Sequence, residues 1–262
     1  MNHSTSPNTD RLPPAVGCDA GLIFAVPIEA AAFERLATDR IEVRAATVTF
    51  QQGIVAGHRV VWCVSGIGAE VAAAATRLLI DGHRPRLVIT AGFAGGLDPA
   101  LTRGSVVRPV VSVVEPTMPP LSLAPFGVAA WPASPQVTIV TVPSVIATVE
   151  AKRQLAARSG AQVVDMETHA VASVARAAGL DCASVRVVSD DASQELPREV
   201  AALAAPQPPL RRLGSVVGAI GKRPRAAVDL WRLWEHAVID GRTLAEALAD
   251  LLRSLPGRPS TS

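Results

Sequence analysis

VVDMETHAVASVARAAGLDCASVRVVSDDA, residues Val163 to Ala192, decides how the rest of the chain is read. Ala170, Val171, Val174, Ala175 and Ala178 recur at helical spacing and are all small, so this helix can lie close against a sheet. Asp165, Met166 and Glu167 open the helix and Gly179 stops it. Ala183 to Val188 then reads as a short β-branched strand, with Ser189, Asp190 and Asp191 at its carboxyl end. In an open α/β sheet that edge is where ligands bind, so two acidic clusters stand at the ends of buried elements.

Upstream, the same alternation of short apolar runs and helices recurs. Gly21 to Val26 reads as a central strand, and Pro27 takes the first position of a helix that continues to Leu36. Glu29 falls in that helix's first turn, where it either compensates the dipole or serves a ligand at the sheet edge. Ile41 to Phe50 and His58 to Val64 read as neighbouring strands separated by a turn at Gly53 or Gly57. In SGIGAEVAAAATRLLI, Ser65 to Ile80, Val71 stands where a dinucleotide fingerprint needs its next glycine, so the stretch reads as a strand-to-helix turn.

Arg86 to Thr90 is a further buried strand, followed by AGFAGGLDPALTRGSVV, Ala91 to Val107. Gly92, Gly95 and Gly96 there imply either a bulged strand packed under a helix or a backbone that approaches a ligand closely. Ser105 to Val114 is another strand, Pro116 to Pro135 a long irregular connection, and Val137 to Val142 a returning strand that ends in Pro143, Ser144, Val145 and Ile146. A helix follows over Val149 to Ser159, with Glu150, Lys152 and Arg153 expected on its exposed face.

The chain of 262 residues, 49% hydrophobic and 18% charged, can bury one full α/β core. Its net charge of +2 implies no nucleic-acid partner. Cys18, Cys63 and Cys182 have neither disulfide nor zinc spacing and point to a reducing, cytoplasmic setting, with no metal expected. Residues 1–20 lack the pattern of a secretory signal and read as a mobile tail. Pro116 to Val149 contains no charged residue, but its prolines rule out a spanning helix.

Four segments together, FAVPIEA, SGIGAEVAAA, TAGFAGGLDPALTRGSVV and VVDMETHAVA with RVVSDDA, resemble the purine nucleoside phosphorylase and nucleosidase superfamily. Within it they resemble most the methylthioadenosine/S-adenosylhomocysteine nucleosidases, and the tail is similar to that of the hopanoid-associated branch, whose substrate is an adenosyl lipid. The resemblance implies a three-layer α/β/α fold around a partly closed mixed sheet. It implies that Glu29 positions and activates water, that Glu167 binds the ribose hydroxyls with Met166 packed on the sugar, and that Asp190 serves purine N7. It brings Phe93 and Gly95 of the glycine-rich turn, Val145 or Ile146, and Ser189 to the ligand. It also implies a homodimer.

Cleaving an N-glycosidic bond creates positive charge on the sugar and negative charge on the departing base, which asks for an acid at the base and an anion near the sugar. Asp190, flanked by apolar Val187 and Val188, suits the first task, and Glu167, in a first helical turn that keeps it ionised, suits the second. Phosphorylases of the family bind phosphate through an arginine and a serine where this chain has Thr90 and Phe93. The expected activity is therefore cofactor-free hydrolysis of a purine, adenosine-type nucleoside. The alternatives are phosphorolysis of the same bond, on an adenosyl-hopanoid lipid in one version, and a nucleoside-binding module without turnover.

The chain divides into the tail 1–20, a catalytic domain 21–193 and a helical extension 194–262 packed on that domain. Leu196 to Leu203, Arg211 to Ile220, Ala226 to Ala237 and Thr243 to Leu255 have helical periods, with AAPQPPL as a link from Ala204 to Leu210. Trp231 and Trp234 with Arg211, Arg212, Lys222, Arg223, Arg225 and Arg232 either face an anionic membrane as a peripheral contact or form a solvated rim. His169 reads as a packing or interface residue and not as a base, and Phe33 and Trp62 as core.

Overall fold

A computed structural model describes residues 17–45, 47–114, 118–123, 134–196 and 224–256, with the backbone alone for 118 and 224–234. β1 (Ala20–Phe24) is buried along its length because its side chains alternate between two covered faces. Leu22 and Phe24 face one core with Phe33, Trp62, Ile89 and Val185, whereas Ile23 faces the other with Val61, Val88, Ala75 and Leu79. The order continues through α1 (Pro27–Glu34), β2 (Thr38–Ala45), β3 (Val48–Val55), β4 (His58–Val64), α2 (Ala69–His83) and β5 (Leu87–Gly96). It is completed by β6 (Val106–Val114), β7 (Met118–Ser122), β8 (Gln136–Thr141), α3 (Val149–Ser159), β9 (Val163–Asp165), α4 (Thr168–Ala177), β10 (Asp181–Asp190) and α5 (Pro224–Ser254).

β5 is the strand on which the sheet turns. Its first half pairs in parallel with β1, its whole length in parallel with β10, and its last two residues antiparallel with β9. β10 also pairs with β6, β6 with β8 and β8 with β9, so these five strands close a ring, while β1, β4, β3 and β2 extend from it as an open wing. This is the partly closed mixed sheet expected, with α2 and α4 covering one face and α1 and α5 the other. Phe33 and Trp62 are both fully buried and meet edge to face at 5.6 Å. His169 is buried against Ser112, its Nδ1 3.2 Å from Ser112 Oγ.

Several expected boundaries move. Ile41 to Phe50 is not one strand: β2 and β3 form an antiparallel hairpin, whereas the turn before β4 falls at Ala56 and Gly57, both with positive φ, the second of its two expected places. The glycine-rich stretch after Thr90 stays in β5 and does not leave the sheet. A short strand, β7, lies inside the stretch read as irregular. The helices expected over Ala226 to Ala237 and Thr243 to Leu255 are one, α5, which runs through Gly241; there a Cβ would lie 3.0 Å from the Ile28 carbonyl, so the missing side chain lets α5 seat on α1. Leu244, Leu248, Leu251 and Leu252 of α5 are fully buried. The helices expected at Leu196 to Leu203 and Arg211 to Ile220 lie outside the described residues beyond Leu196. So do the side chains of Arg211, Arg212, Lys222, Arg223, Arg225, Trp231, Arg232 and Trp234, and with them the membrane contact. Among the described residues no helix is long and apolar enough to cross a membrane.

Candidate active site

The carboxyl ends of β1, β5, β8, β9 and β10 surround one cavity of about 550 Å³. Glu29, Phe93, Gly95, Val145, Ile146, Met166, Ser189 and Asp190 all line it, together with Val26, Ile28, Ile67, Val142, Asp165 and, from α5, His236 and Asp240. Glu167 does not form part of that wall. It lies beside it, its Oε1 accepting from the Gly68 N–H at 2.7 Å, between Met166 and Ile67, which do line the cavity.

Glu29 is the third residue of α1. Its Oε2 accepts from the backbone N–H groups of Ala25 (2.9 Å) and Val26 (3.0 Å), which closes the helix start. Its Oε1 reaches across to β5 and accepts from Phe93 N–H at 2.8 Å. Dipole compensation is thus only part of its role. Burial holds the Glu29 carboxyl above the ordinary glutamate range, opposed by the Phe93 N–H, the charge of Arg186 and the two α1 donors.

At the other end, β10 delivers Asp190. Ser189 is the extra residue of a bulge between Val188 and Asp190, so that Asp190 sits opposite Gly95 on β5. Asp190 Oδ1 accepts from Ser189 Oγ (2.6 Å) and Oδ2 from Lys152 Nζ (2.6 Å). Here the sequence reading needs correction twice. Lys152, expected on an exposed face, is fully buried, and Asp190, expected among apolar neighbours, faces a full positive charge.

Glu167 also differs from expectation. It is the N-cap of α4 and not a first-turn residue, with φ −132°, and it has no cap hydrogen bond of its own. Burial, with the nearby charge of Asp165 second, pushes its carboxyl up to about 7, against the pull of Gly68 N–H and Arg186. The helix start therefore does not offset the burial of this carboxyl. Gly68 has φ +111°, a conformation that other residues rarely adopt, and this turn aims its N–H at Glu167. The SGIG turn binds a carboxylate of its own chain.

Asp165 caps α4, accepting from Thr168 N–H at 2.9 Å, but it does more than cap. Its Oδ2 also takes a salt bridge from Arg186 at 2.9 Å, and its Oδ1 accepts from Thr141 Oγ1 at 2.8 Å. Arg186 NH2 donates further to Thr90 Oγ1 (2.7 Å) and Thr168 Oγ1 (2.6 Å). A Cβ on Gly92 would fall 2.5 Å from Glu29 Oε1 and 2.7 Å from Arg186 NH1, so Glu29 and Arg186 meet over a backbone that can carry no side chain. Sequence reasoning passed over Arg186, although a charged residue inside the apolar run Ala183 to Val188 was a signal. Lys152 gave none, since it sits among Glu150 and Arg153 in a sequence that looks solvated.

A family model of the phosphorylase superfamily matches residues 19–114 and 126–208, more than half of the chain. The chain belongs to the phosphorylase superfamily. Among curated members, the 5′-methylthioadenosine/S-adenosylhomocysteine nucleosidase of Tolumonas auensis is 39% identical over 87 residues, 33% of this chain and 38% of that protein. The protein of the same description from Pseudoalteromonas translucida is 49% identical over 59 residues, 22% and 25% of the two chains. The chain thus matches 38% and 25% of the lengths of these two superfamily relatives. Among solved structures, the S-adenosylhomocysteine nucleosidase of Streptococcus pyogenes superposes with a TM-score of 0.71 at 20% identity, covering 94% of this chain and all of that one. The futalosine hydrolase of Helicobacter pylori gives 0.70 at 16%, covering 90% and 98%. These likenesses establish the phosphorylase-superfamily fold.

Proposed function

We propose that this protein hydrolyses the N-glycosidic bond of a purine, adenosine-type nucleoside and releases the free base. The observation that carries this reading is the setting of Glu29. Three backbone N–H groups and the nearby Arg186 charge form a ready anion cradle at the cavity, and an internal carboxylate already fills it. A phosphate brought there would meet that carboxylate, whereas a water molecule would find an acceptor that burial makes readier to take a proton.

In the reaction, the C1′–N9 bond breaks and its electron pair leaves with the purine, while Asp190 gives a proton to N7. A water oxygen bonds to C1′ and passes its proton to Glu29. Glu167, which stands beside the cavity wall, reaches past Met166 to grip the ribose hydroxyls when the nucleoside is bound, with Met166 against the sugar. Phe93, Gly95, Val145, Ile146 and Ser189 enclose the base end. No cofactor enters the scheme. Residues 21–193 carry the site, and the extension 194–262 completes its wall through α5, whose His236 and Asp240 line the cavity.

Largely apolar walls beyond the acids, including Val26, Ile28, Ile67 and Leu196, suit an uncharged apolar 5′ substituent, as on an adenosyl-hopanoid lipid. The protein acts in this reading as a cytoplasmic homodimer, which sedimentation would check. The deciding experiment incubates the chain with adenosine, 5′-methylthioadenosine and longer 5′-alkyl analogues in phosphate-free buffer, and identifies the sugar product. Free ribose derivatives are expected. Strict phosphate dependence with sugar 1-phosphates would replace hydrolysis by phosphorolysis, and unaltered nucleosides would leave a binding module.

A further inference from the structure

Lys152 has no part in that chemistry, yet it sits where a lysine is costly. α3 carries it near its N-terminus, where a positive charge opposes the helix dipole, and it is fully buried. All three hydrogens of its ammonium are committed, to Asp190 Oδ2 (2.6 Å), to the Asp191 carbonyl (2.6 Å) and to the Gln194 carbonyl (3.0 Å). Glu150 and Arg153, its neighbours in sequence, pair with each other on the exposed face of α3. Lys152 therefore serves the end of β10 and the segment that follows it. Burying an ion pair is weak support for stability, because desolvation cancels much of the attraction. A role tied to Asp190 explains its place better.

We propose that Lys152 is a positioning residue for the base end of the cavity, a fixed positive charge that receives Asp190 as a carboxylate once the acid has passed its proton to the purine. The inference rests on the hydrolase reading above. When the C1′–N9 bond breaks, the bonding pair goes to the purine and the Asp190 proton goes to N7, which leaves an anion on a buried side chain. The ammonium already in contact with Oδ2 neutralises that anion without reorganisation. Lys152 donates no proton to the substrate in this scheme and touches no substrate atom. Asp190 is reprotonated from solvent after the products leave.

The test measures kcat and KM for base release by the native chain, K152M, K152Q, K152R, D190N and K152M/D190N, with the melting temperature of each. Lys152→Gln keeps a donor for the two carbonyls and removes the charge, so it separates the two duties if K152M does not fold. K152M and K152Q are expected to lose about 100-fold in kcat with KM within about threefold, and K152R to recover at least about tenfold of that loss. In the D190N background K152M is expected to cost less than about twofold, because there is no acid left for it to serve. Native kcat in K152M or K152Q, a loss confined to KM, or losses that multiply in the double variant would each overturn the proposal. A native chain that turns over while K152M and K152Q match it sinks this inference alone. A native chain that leaves every nucleoside intact sinks the hydrolase reading and this inference with it.

Discussion

Two buried carboxylates line the cavity, and they are held by different means. Glu29 is held by backbone dipoles, three N–H groups from Ala25, Val26 and Phe93, with no ammonium or guanidinium in hydrogen-bond contact among the described residues. Asp190 is held by an ammonium and a hydroxyl, with no backbone donor among the described residues. Dipoles fix a carboxylate in space but offset burial incompletely, so Glu29 stays readier than an ordinary glutamate to accept a proton. A full charge binds one state of its partner much more strongly than the other, and a hydroxyl can turn to donate or accept. The first arrangement suits a group that takes up a proton from water, and the second a group that must release one.

Amide substitution is the sharpest way to break this comparison. In Asp190→Asn the amide oxygen can face Lys152, and the NH2 can face Ser189 Oγ once that hydroxyl rotates. The variant is expected to fold and bind nucleoside near normally while kcat falls about 10³-fold or more, read by steady-state kinetics and by calorimetric titration with a non-cleavable C-nucleoside. In Glu29→Gln the new NH2 has only donors around it, because Ala25, Val26 and Phe93 all present N–H groups. It is expected to lose turnover on a similar scale and, unlike D190N, to lose about 1–3 kcal/mol of stability in denaturant unfolding. If E29Q proved as stable as the native chain, the dipole cradle would not be what fixes Glu29.

Glycine substitutions sharpen the same contrast more gently. The added methyl in Gly92→Ala would sit 2.5 Å from Glu29 Oε1 and 2.7 Å from Arg186 NH1, so both charged groups must move. In Gly95→Ala the nearest atoms are Val164 Cγ1 at 3.1 Å and Asp190 Oδ2 at 3.4 Å, which need give only slightly. G92A is expected to lose about 100-fold in kcat/KM and about 1–3 kcal/mol of stability, and G95A clearly less on both counts. Equal losses would mean that the two ends yield alike, whatever holds their acids.

The sequence located the ends of this cavity better than it explained them. Asp190, Gly95 and Gly96 lie at strand ends and Glu29 in the first turn of the helix after β1, and short-range signals such as Pro27 at a helix start, apolar runs and glycines find such ends well. What holds the acids comes from elsewhere in the chain. Lys152 lies 38 positions from Asp190, and Gly68 lies 99 from Glu167, distances at which periodicity and propensity carry no information. Arg186 was more accessible, since β10 is buried on both faces and a charge within it must have a buried partner. The hairpin of β2 and β3 and the unbroken α5 were missed for simpler reasons. No glycine or proline marks the chain between Ala45 and Val48, and the stretch around Gly241 was read as a break without the packing on Ile28 that lets α5 run through it.

Glu167 tests whether the contrast extends to the third acid, which has one backbone donor and shares the Arg186 charge with Asp165 and Glu29. Its carboxyl is raised from 4.5 to about 7 in the folded protein, so between those values the unfolded chain has released a proton that the native chain still holds. Where the unfolded state binds fewer protons, stability falls as pH rises. The contribution of Glu167 is therefore fully present below pH 4.5, declines across the window and levels off above about 7, a loss on the order of 1–3 kcal/mol. Glu29 is raised in the same direction, so the native curve alone cannot assign the slope. Glu167→Gln removes one titration and leaves the other, and denaturant unfolding from pH 5 to 8 is expected to show a shallower decline for E167Q than for the native chain. Nucleoside KM should fall over the same window only where Glu167 is present, because an ionised carboxylate accepts a ribose hydroxyl more strongly than a neutral one. A KM that tracks pH equally in E167Q would move sugar binding away from Glu167 and leave the cavity with two working acids in place of three.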